Sequence, residues 1–154
     1  VGRYTGPVSE ASNRLPGPWI HDRVRVRYGE TDQMGHAYYG STLLWFEQAR
    51  SAACRALGMP YKQIEAQGFR LPVVEVHVVY KSEVKYDDVL DVRIRVAELR
   101  RASVRFDYEV WNEESPRLCT TGFTWHVLVG ANMKAVTFPP FLRALLTSVP
   151  TPSR

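Results

Sequence analysis

The chain has 154 residues, 45% of them hydrophobic, and a net charge of +4 at pH 7. That length fits one domain with a core of its own. The positive charge is scattered, without a basic run interleaved with aromatics, which argues against a nucleic-acid partner and suits a small anionic ligand better. No apolar run approaches membrane-spanning length and the first twenty residues lack the apolar centre of a secretory signal, so a cytoplasmic, unanchored protein with no membrane partner is expected.

Residues Val1 to Trp19 are rich in Gly, Pro, Ser and Asn and read as a flexible arm. Ile20 to Tyr28 alternates, with Val24, Val26 and Tyr28 facing one way and Arg23, Arg25 and Arg27 the other, the pattern of a half-buried strand. A loop, Gly29 to Gly40, follows. Ser41 or Thr42 can cap the next helix. Leu43, Phe46, Ala49, Ala53 and Leu57 recur at helical spacing, and Gly58 and Pro60 end the helix. Its small residues Ala49, Ala52, Ala53 and Ala56 would let a sheet wrap closely. A short helix, Tyr61 to Gln67, stops at Gly68. Four strand patterns come next: Leu71 to Lys85, Val89 to Leu99, Ser103 to Asn112 and Leu118 to Val129. After Gly130 to Asn132 a further short strand is expected. Pro139-Pro140 then opens a helix over Phe141 to Leu146, and Thr147 to Arg154 reads as a loose tail.

The later strands are joined by connections of hairpin length, which argues against a parallel, doubly wound sheet. The expected class is α+β: one long helix covering one face of a mostly antiparallel sheet of five or six strands, within residues 20–146. Cys54 falls in a helix pattern and Cys119 in a strand pattern, without metal spacing, and both read as reduced thiols.

Asp32 stands a few residues before the long helix. A helix start offers free backbone N–H groups and a partial positive charge. A carboxylate facing it can attack, or activate water toward, a carbonyl whose oxygen rests on those N–H groups. A loop Asp closing an Asx-turn is the competing use, and the bare residues leave both open. Gly35 suits a positive φ or a close substrate approach. His36 can orient water or substrate, or be satisfied by a backbone carbonyl. No second His or carboxylate stands at metal spacing, so no metal site is expected. Glu47 is read as the structural partner of Arg50 or Arg55, and as the reserve carboxylate. Ser41 lacks the Gly-x-Ser-x-Gly elbow of a nucleophile. His21, His77 and His126 read as packed or surface residues.

The run Thr31-Asp32-Gln33-Met34-Gly35-His36-Ala37-Tyr38-Tyr39, followed by Leu43-Leu44-Trp45-Phe46-Glu47-Gln48-Ala49-Arg50, resembles the 4-hydroxybenzoyl-CoA thioesterase-like acyl-CoA thioesterases. Their pattern is Asp-x-x-Gly, a Tyr or Asn pair, and an aromatic-rich helix carrying Glu-x-Ala-Arg. The likeness extends from Ile20 to about Leu146. Two departures stand out: Tyr39-Gly40-Ser41-Thr42 replaces a His-x-Asn-Tyr run common in the family, and His36 directly follows Gly35, as in a Gly-His-Val-Asn branch. The resemblance implies a hot-dog fold and hydrolysis of an acyl-CoA thioester to an acid and free CoA, with no cofactor. It implies Asp32 as general base or nucleophile and the backbone N–H of Tyr39, next to Gly40, as donor to the carbonyl oxygen. It implies Arg100, Arg101 and Ser103, on a hairpin connection, as contacts for CoA phosphates. It implies a homodimer or homotetramer with the acyl group in a groove at the subunit boundary. Trp45, Phe69 and Trp125 are candidate walls of that groove, or core. Two rivals are a non-catalytic acyl-CoA or acyl-carrier binding module and a hot-dog hydratase. The second needs an Asp/His pair in a loop motif absent from this chain.

Overall fold

The structure, a computed structural model, describes residues 15–150. Residues 1–14 of the expected arm and 151–154 of the expected tail lie outside the described residues. The elements are β1 (Ile20–Arg25), a single 3-10 turn (Tyr28–Glu30), α1 (Ser41–Leu57), α2 (Tyr61–Ala66), β2 (Val73–Tyr80), β3 (Val89–Leu99), β4 (Ser103–Asn112), β5 (Arg117–Val127) and α3 (Pro140–Leu146). One five-stranded sheet runs in the order β1-β3-β4-β5-β2, antiparallel at every pairing. The long helix lies on one face of this sheet, the hot-dog arrangement.

Period-two alternation fixes which face of the sheet is covered. Leu90, Val92 and Ile94 of β3 and Val104, Tyr108 and Val110 of β4 are buried beside Trp45, Phe46, Ala49 and Ala53 of α1. The intervening Arg93 and Arg105 turn outward, where their guanidiniums lie 4.8 Å over Trp111 and 4.0 Å over Phe123. Helix and sheet meet most closely at Phe46, whose ring stacks on Tyr108 with centroids 3.9 Å apart and planes 9° from parallel. Gly122 of β5 makes room for it. A Cβ there would sit 2.5 Å from the His77 carbonyl oxygen and 2.9 Å from Phe46 Cε2.

Several expectations need correction. The first strand stops at Arg25, because the chain turns into the 3-10 segment, held by the Arg27 N–H donating to Glu30 Oε2 at 2.9 Å. Tyr28 is therefore 78% exposed rather than aligned with Val24 and Val26. Leu43 is also outside the buried stripe of α1, since the sheet covers the Trp45-Phe46-Ala49-Ala53 side. The strand expected after Asn132 is reduced to one bridge, Val129 to Ala135. The long 71–85 pattern shortens to β2, an edge strand bonded only to β5. Val74, Val76, Val78 and Tyr80 alternate onto one face of that pattern, and Val74, Val76 and Tyr80 are exposed. Residues 15–19 of the expected arm lie against β3, with the Gly17 N–H donating to Val96 O at 2.8 Å and Arg95 4.3 Å over Trp19. Among the described residues no helix is long and apolar enough to cross a membrane.

Candidate active site

The loop between β1 and α1 is strapped down at both ends through backbone groups. The Glu30 carbonyl accepts from the Tyr38 N–H at 2.7 Å and from Ser41 Oγ at 2.9 Å. Glu30 itself is buried, its carboxylate held by Arg27 Nη2 at 2.9 Å. The Ala37 N–H donates to Val84 O at 2.6 Å, and His36 bridges to Lys85. The loop is thus clamped against the segment that follows β2. Between them opens a cleft of about 380 Å³, lined by Asp32, His36, Tyr39, Thr42 and Trp45 on one side and by Tyr80 to Val84 with Thr120 on the other.

Asp32 sits half-buried in this cleft. Its Oδ1 accepts from the Met34 N–H at 2.9 Å and, at 3.4 Å, from the His36 N–H. That is the Asx-turn, with Asp32 O accepting from the Gly35 N–H at 3.1 Å. Oδ2 takes no hydrogen bond from any described residue. The Asx-turn use considered for Asp32 is thus met by one oxygen alone, and the other has no partner among the described residues. Gly35 adopts φ +80° with open space around it, so the turn needs its conformational freedom. His36 Nε2 lies 2.7 Å from Glu83 Oε2, a carboxylate partner rather than the backbone carbonyl expected.

The start of α1 corrects the capping expectation. Gly40 occupies the N-cap with no side-chain cap. Ser41 is inside the helix, its hydroxyl turned to the Glu30 carbonyl. No side chain reaches the first-turn N–H groups; the backbone takes two of them, the Ser41 N–H donating to the Tyr38 carbonyl and the Leu43 N–H to the Gly40 carbonyl at 3.2 Å. Planar trans peptides fix where they aim. The Tyr38 carbonyl accepts from the Ser41 N–H at 2.9 Å, so the Tyr39 N–H of that peptide points away from the first helical turn. The Tyr39 carbonyl accepts from the Tyr80 hydroxyl at 2.6 Å, which turns the Gly40 N–H away from Tyr80. Neither N–H has a hydrogen-bond partner among the described residues.

Trp45 lines the cleft, and its indole N–H is buried with no partner among the described residues. Phe69 and Trp125, the other candidate walls, are elsewhere. Phe69 packs with Phe141, and Trp125 lies 4.3 Å beneath the Arg100 guanidinium. Glu47 is exposed and has no ion-pair partner among the described residues, against the expected pairing with Arg50 or Arg55. Arg100, Arg101 and Ser103 gather at the β3–β4 turn. Arg100 Nε pairs with Glu98 at 2.8 Å, Arg101 Nη1 donates to Thr137 Oγ1 at 2.8 Å, and the Ser103 carbonyl accepts from the Arg100 N–H at 2.8 Å. This turn is not beside Asp32 in the same chain. Ser103 pairs with Val127 at one end of β5, whereas Tyr80 pairs with Thr120 near the other, a separation of about 23 Å along a strand.

Glu30, Tyr80 and Glu83 were not singled out from the sequence. Only Glu30 left a local trace there, the Arg27-x-x-Glu30 spacing. Cys54 and Cys119 are both free thiols. Among the described residues no group of three or more His, Cys, Asp or Glu is placed to hold a metal ion.

Comparison with known proteins adds the following. Residues 26–146 match the model of the thioesterase-like superfamily. A Haemophilus influenzae protein named acyl-CoA thioesterase YbgC is 30% identical over 122 residues, which are 79% of this chain and 89% of its own. A Bacillus subtilis relative is 33% identical over 89 residues, 58% of this chain but only 64% of its own length. The solved structure titled DHNA-CoA thioesterase from Staphylococcus aureus superposes with a TM-score of 0.77 at 32% identity, covering 82% of this chain and 87% of that one.

Proposed function

The chain belongs to the thioesterase-like superfamily, and from that premise we propose that it hydrolyses an acyl-CoA thioester to a carboxylic acid and free CoA. The observation that carries the reading is a carboxylate with one unengaged oxygen in a cleft beside an uncapped helix start. The thioester carbonyl oxygen rests on the Tyr39 N–H, which has no hydrogen-bond partner among the described residues. Asp32 Oδ2 takes a proton from a water whose oxygen adds to the carbonyl carbon, or adds to that carbon itself to form a mixed anhydride that water then cleaves; in either route the C–S bond breaks and the CoA thiolate leaves. His36, fixed by Glu83, borders the cleft and orients water or substrate there.

The acting unit is at least a dimer. Exposed Met34 and Tyr39 line the cleft, and β2 offers an open edge with exposed apolar residues on both faces. Such a surface is a subunit contact. Antiparallel pairing of two β2 edges about a two-fold axis brings the Val73 end of one copy beside the Tyr80 end of the other. The β3–β4 turn lies toward that Val73 end, so Arg100 and Arg101 of the partner subunit approach the cleft to meet CoA phosphates. This accounts for a basic turn so far from Asp32 within one chain. A wild type that sediments as a monomer at assay concentration refutes this arrangement.

The test is release of free CoA from short, medium, long and aromatic acyl-CoAs, separated from protein thiols before detection. Asp32→Asn should lower kcat by about 10²- to 10⁴-fold while CoA binding persists. The Asx-turn role of Oδ1 also fits a non-catalytic acyl-CoA or acyl-carrier binding module. Equal turnover by wild type and Asp32→Asn removes Asp32 from the chemistry and turns attention to Glu47. No turnover of any acyl-CoA favours the binding module or a carrier-protein substrate.

A further inference from the structure

The least exposed residues lining the Asp32 cleft are Thr42 and Trp45 of α1 and Thr120 of β5, and they form its floor. Thr120 stands opposite Tyr80 of β2 and Val110 of β4. Residues opposite one another in a ladder share a face. Val110 is buried on the helix side, so Thr120 points there too. Its neighbour Tyr80 carries the hydroxyl that holds the Tyr39 carbonyl. Thr42 follows Tyr39 by three residues, on the buried side of α1. Both threonines are thus tied closely to Tyr39.

Buried hydroxyls in a folded chain are normally paired, and Thr124, on the same face of β5, follows that rule. It belongs to a closed relay. The Leu71 carbonyl can only accept, so His126 Nδ1, 2.9 Å away, carries the proton. His126 Nε2 then accepts from Thr124 Oγ1 at 2.8 Å, and Thr124 accepts from the Tyr108 hydroxyl at 2.8 Å. The hydroxyls of Thr42 and Thr120 have no hydrogen-bond partner among the described residues, and neither oxygen is sealed from the cleft. The Trp45 indole N–H beside them is unpartnered as well. Valine at either position would fill the same space with no hydroxyl to satisfy.

We propose that Thr42 and Thr120 hold the water that attacks the thioester, which rests on the acyl-CoA hydrolysis proposed above. Each hydroxyl both gives and takes a hydrogen bond. An apolar acyl body would leave them unpaired, and a carbonyl or carboxylate can only accept. Water does both, and a polar cleft of about 380 Å³ admits it. Held on the two hydroxyls, the water directs a proton to Asp32 Oδ2, the carboxylate oxygen without a partner among the described residues. Asp32 takes that proton as the water oxygen bonds to the carbonyl carbon. The C–S bond then breaks, the CoA thiolate leaves with the bonding pair, and Asp32 returns the proton to solvent. In the mixed-anhydride route the same water cleaves the anhydride.

The test measures CoA release and product identity for Thr42→Val and Thr120→Val at a fixed concentration of methanol. Methanol competes with water for the carbonyl carbon and gives a methyl ester in place of the acid. Each valine variant should lower kcat about five- to tenfold with KM unchanged, and raise the ester-to-acid ratio about fivefold. Thr42→Ser and Thr120→Ser keep the hydroxyl and should restore both values. The ratio does not depend on the fraction of enzyme folded, and the two valines sit on different elements, so either one carries the test alone. Urea midpoints of the valine variants should equal or exceed that of wild type, because no bond of the hydroxyl within the chain is lost. A wild type that releases no CoA ends the thioesterase reading and this proposal with it. If wild type hydrolyses acyl-CoA, valine variants with wild-type kcat overturn the water site alone. So do a slower kcat at an unchanged ratio, serine variants as slow as valine, or a lowered urea midpoint.

Discussion

Acid should destabilise this fold through one side chain, His126. The ring is buried under the helix, and its relay uses Nδ1 as donor and Nε2 as acceptor. A second proton would leave Thr124 and Nε2 facing each other as two donors. Burial lowers the pKa from 6.5 in the unfolded chain to about 4 in the fold. Between those values the unfolded state binds a proton that the folded state refuses. The stability contribution is therefore full above pH 6.5 and is lost as the pH falls through about 4. The gap corresponds to about 3 kcal/mol, a large share of a domain's usual 5–15 kcal/mol. The assay is urea unfolding across this interval at fixed protein concentration, comparing wild type with His126→Gln. The glutamine does not titrate, so wild type should lose about 3 kcal/mol more than the variant over the same interval. Carboxylates titrate alike in both proteins and cancel. Equal losses would show that the imidazole is protonated in the fold and that the direction assigned to the relay is wrong.

Two further substitutions probe how the sheet positions the cleft. Gly122→Ala places a methyl against the His77 carbonyl and the Phe46 ring; it should cost about 2–3 kcal/mol in denaturant unfolding, and a loss below about 0.5 kcal/mol would show that helix and sheet separate freely there. Tyr80→Phe releases the Tyr39 carbonyl and lets the neighbouring peptide rotate. It should lower kcat about five- to tenfold with KM unchanged, whereas a pure KM effect would make Tyr80 a substrate contact.

The sequence carried the fold well where one periodicity acts alone. β3 and β4 fall at Val89–Leu99 and Ser103–Asn112 as read from alternation, and α1 ends at Gly58 with φ +108°. It failed where a contact outside the periodicity sets the outcome. Tyr28 fits the alternation of β1, yet the Arg27–Glu30 contact turns the backbone before it can pair. Leu43 fits the helical stripe, but the sheet covers the adjacent side of the helix. Val74 and Val76 share one face of the β2 pattern, but alternation cannot tell a covered face from an unpartnered edge, and both are exposed. In the candidate site, Asp32, Gly35 and His36 were legible because they are contiguous. Tyr80 and Glu83 were not, since more than forty residues separate them from the loop they hold.

The strand order β1-β3-β4-β5-β2 also dictates a schedule. The central strands β3, β4 and β5 follow one another through short turns, so they can pair as soon as they exist. β1 and β2 precede all three in the chain, yet each finds its partner on an opposite flank of that later meander. During synthesis from the N-terminus, the whole segment bearing the loop, the long helix and the open edge must wait, with its apolar side uncovered, until the last strand has emerged. Closure of these long chain excursions then becomes the slow event. The Asp32 loop is thereby made before the strands that hold it and is among the last parts to acquire its shape.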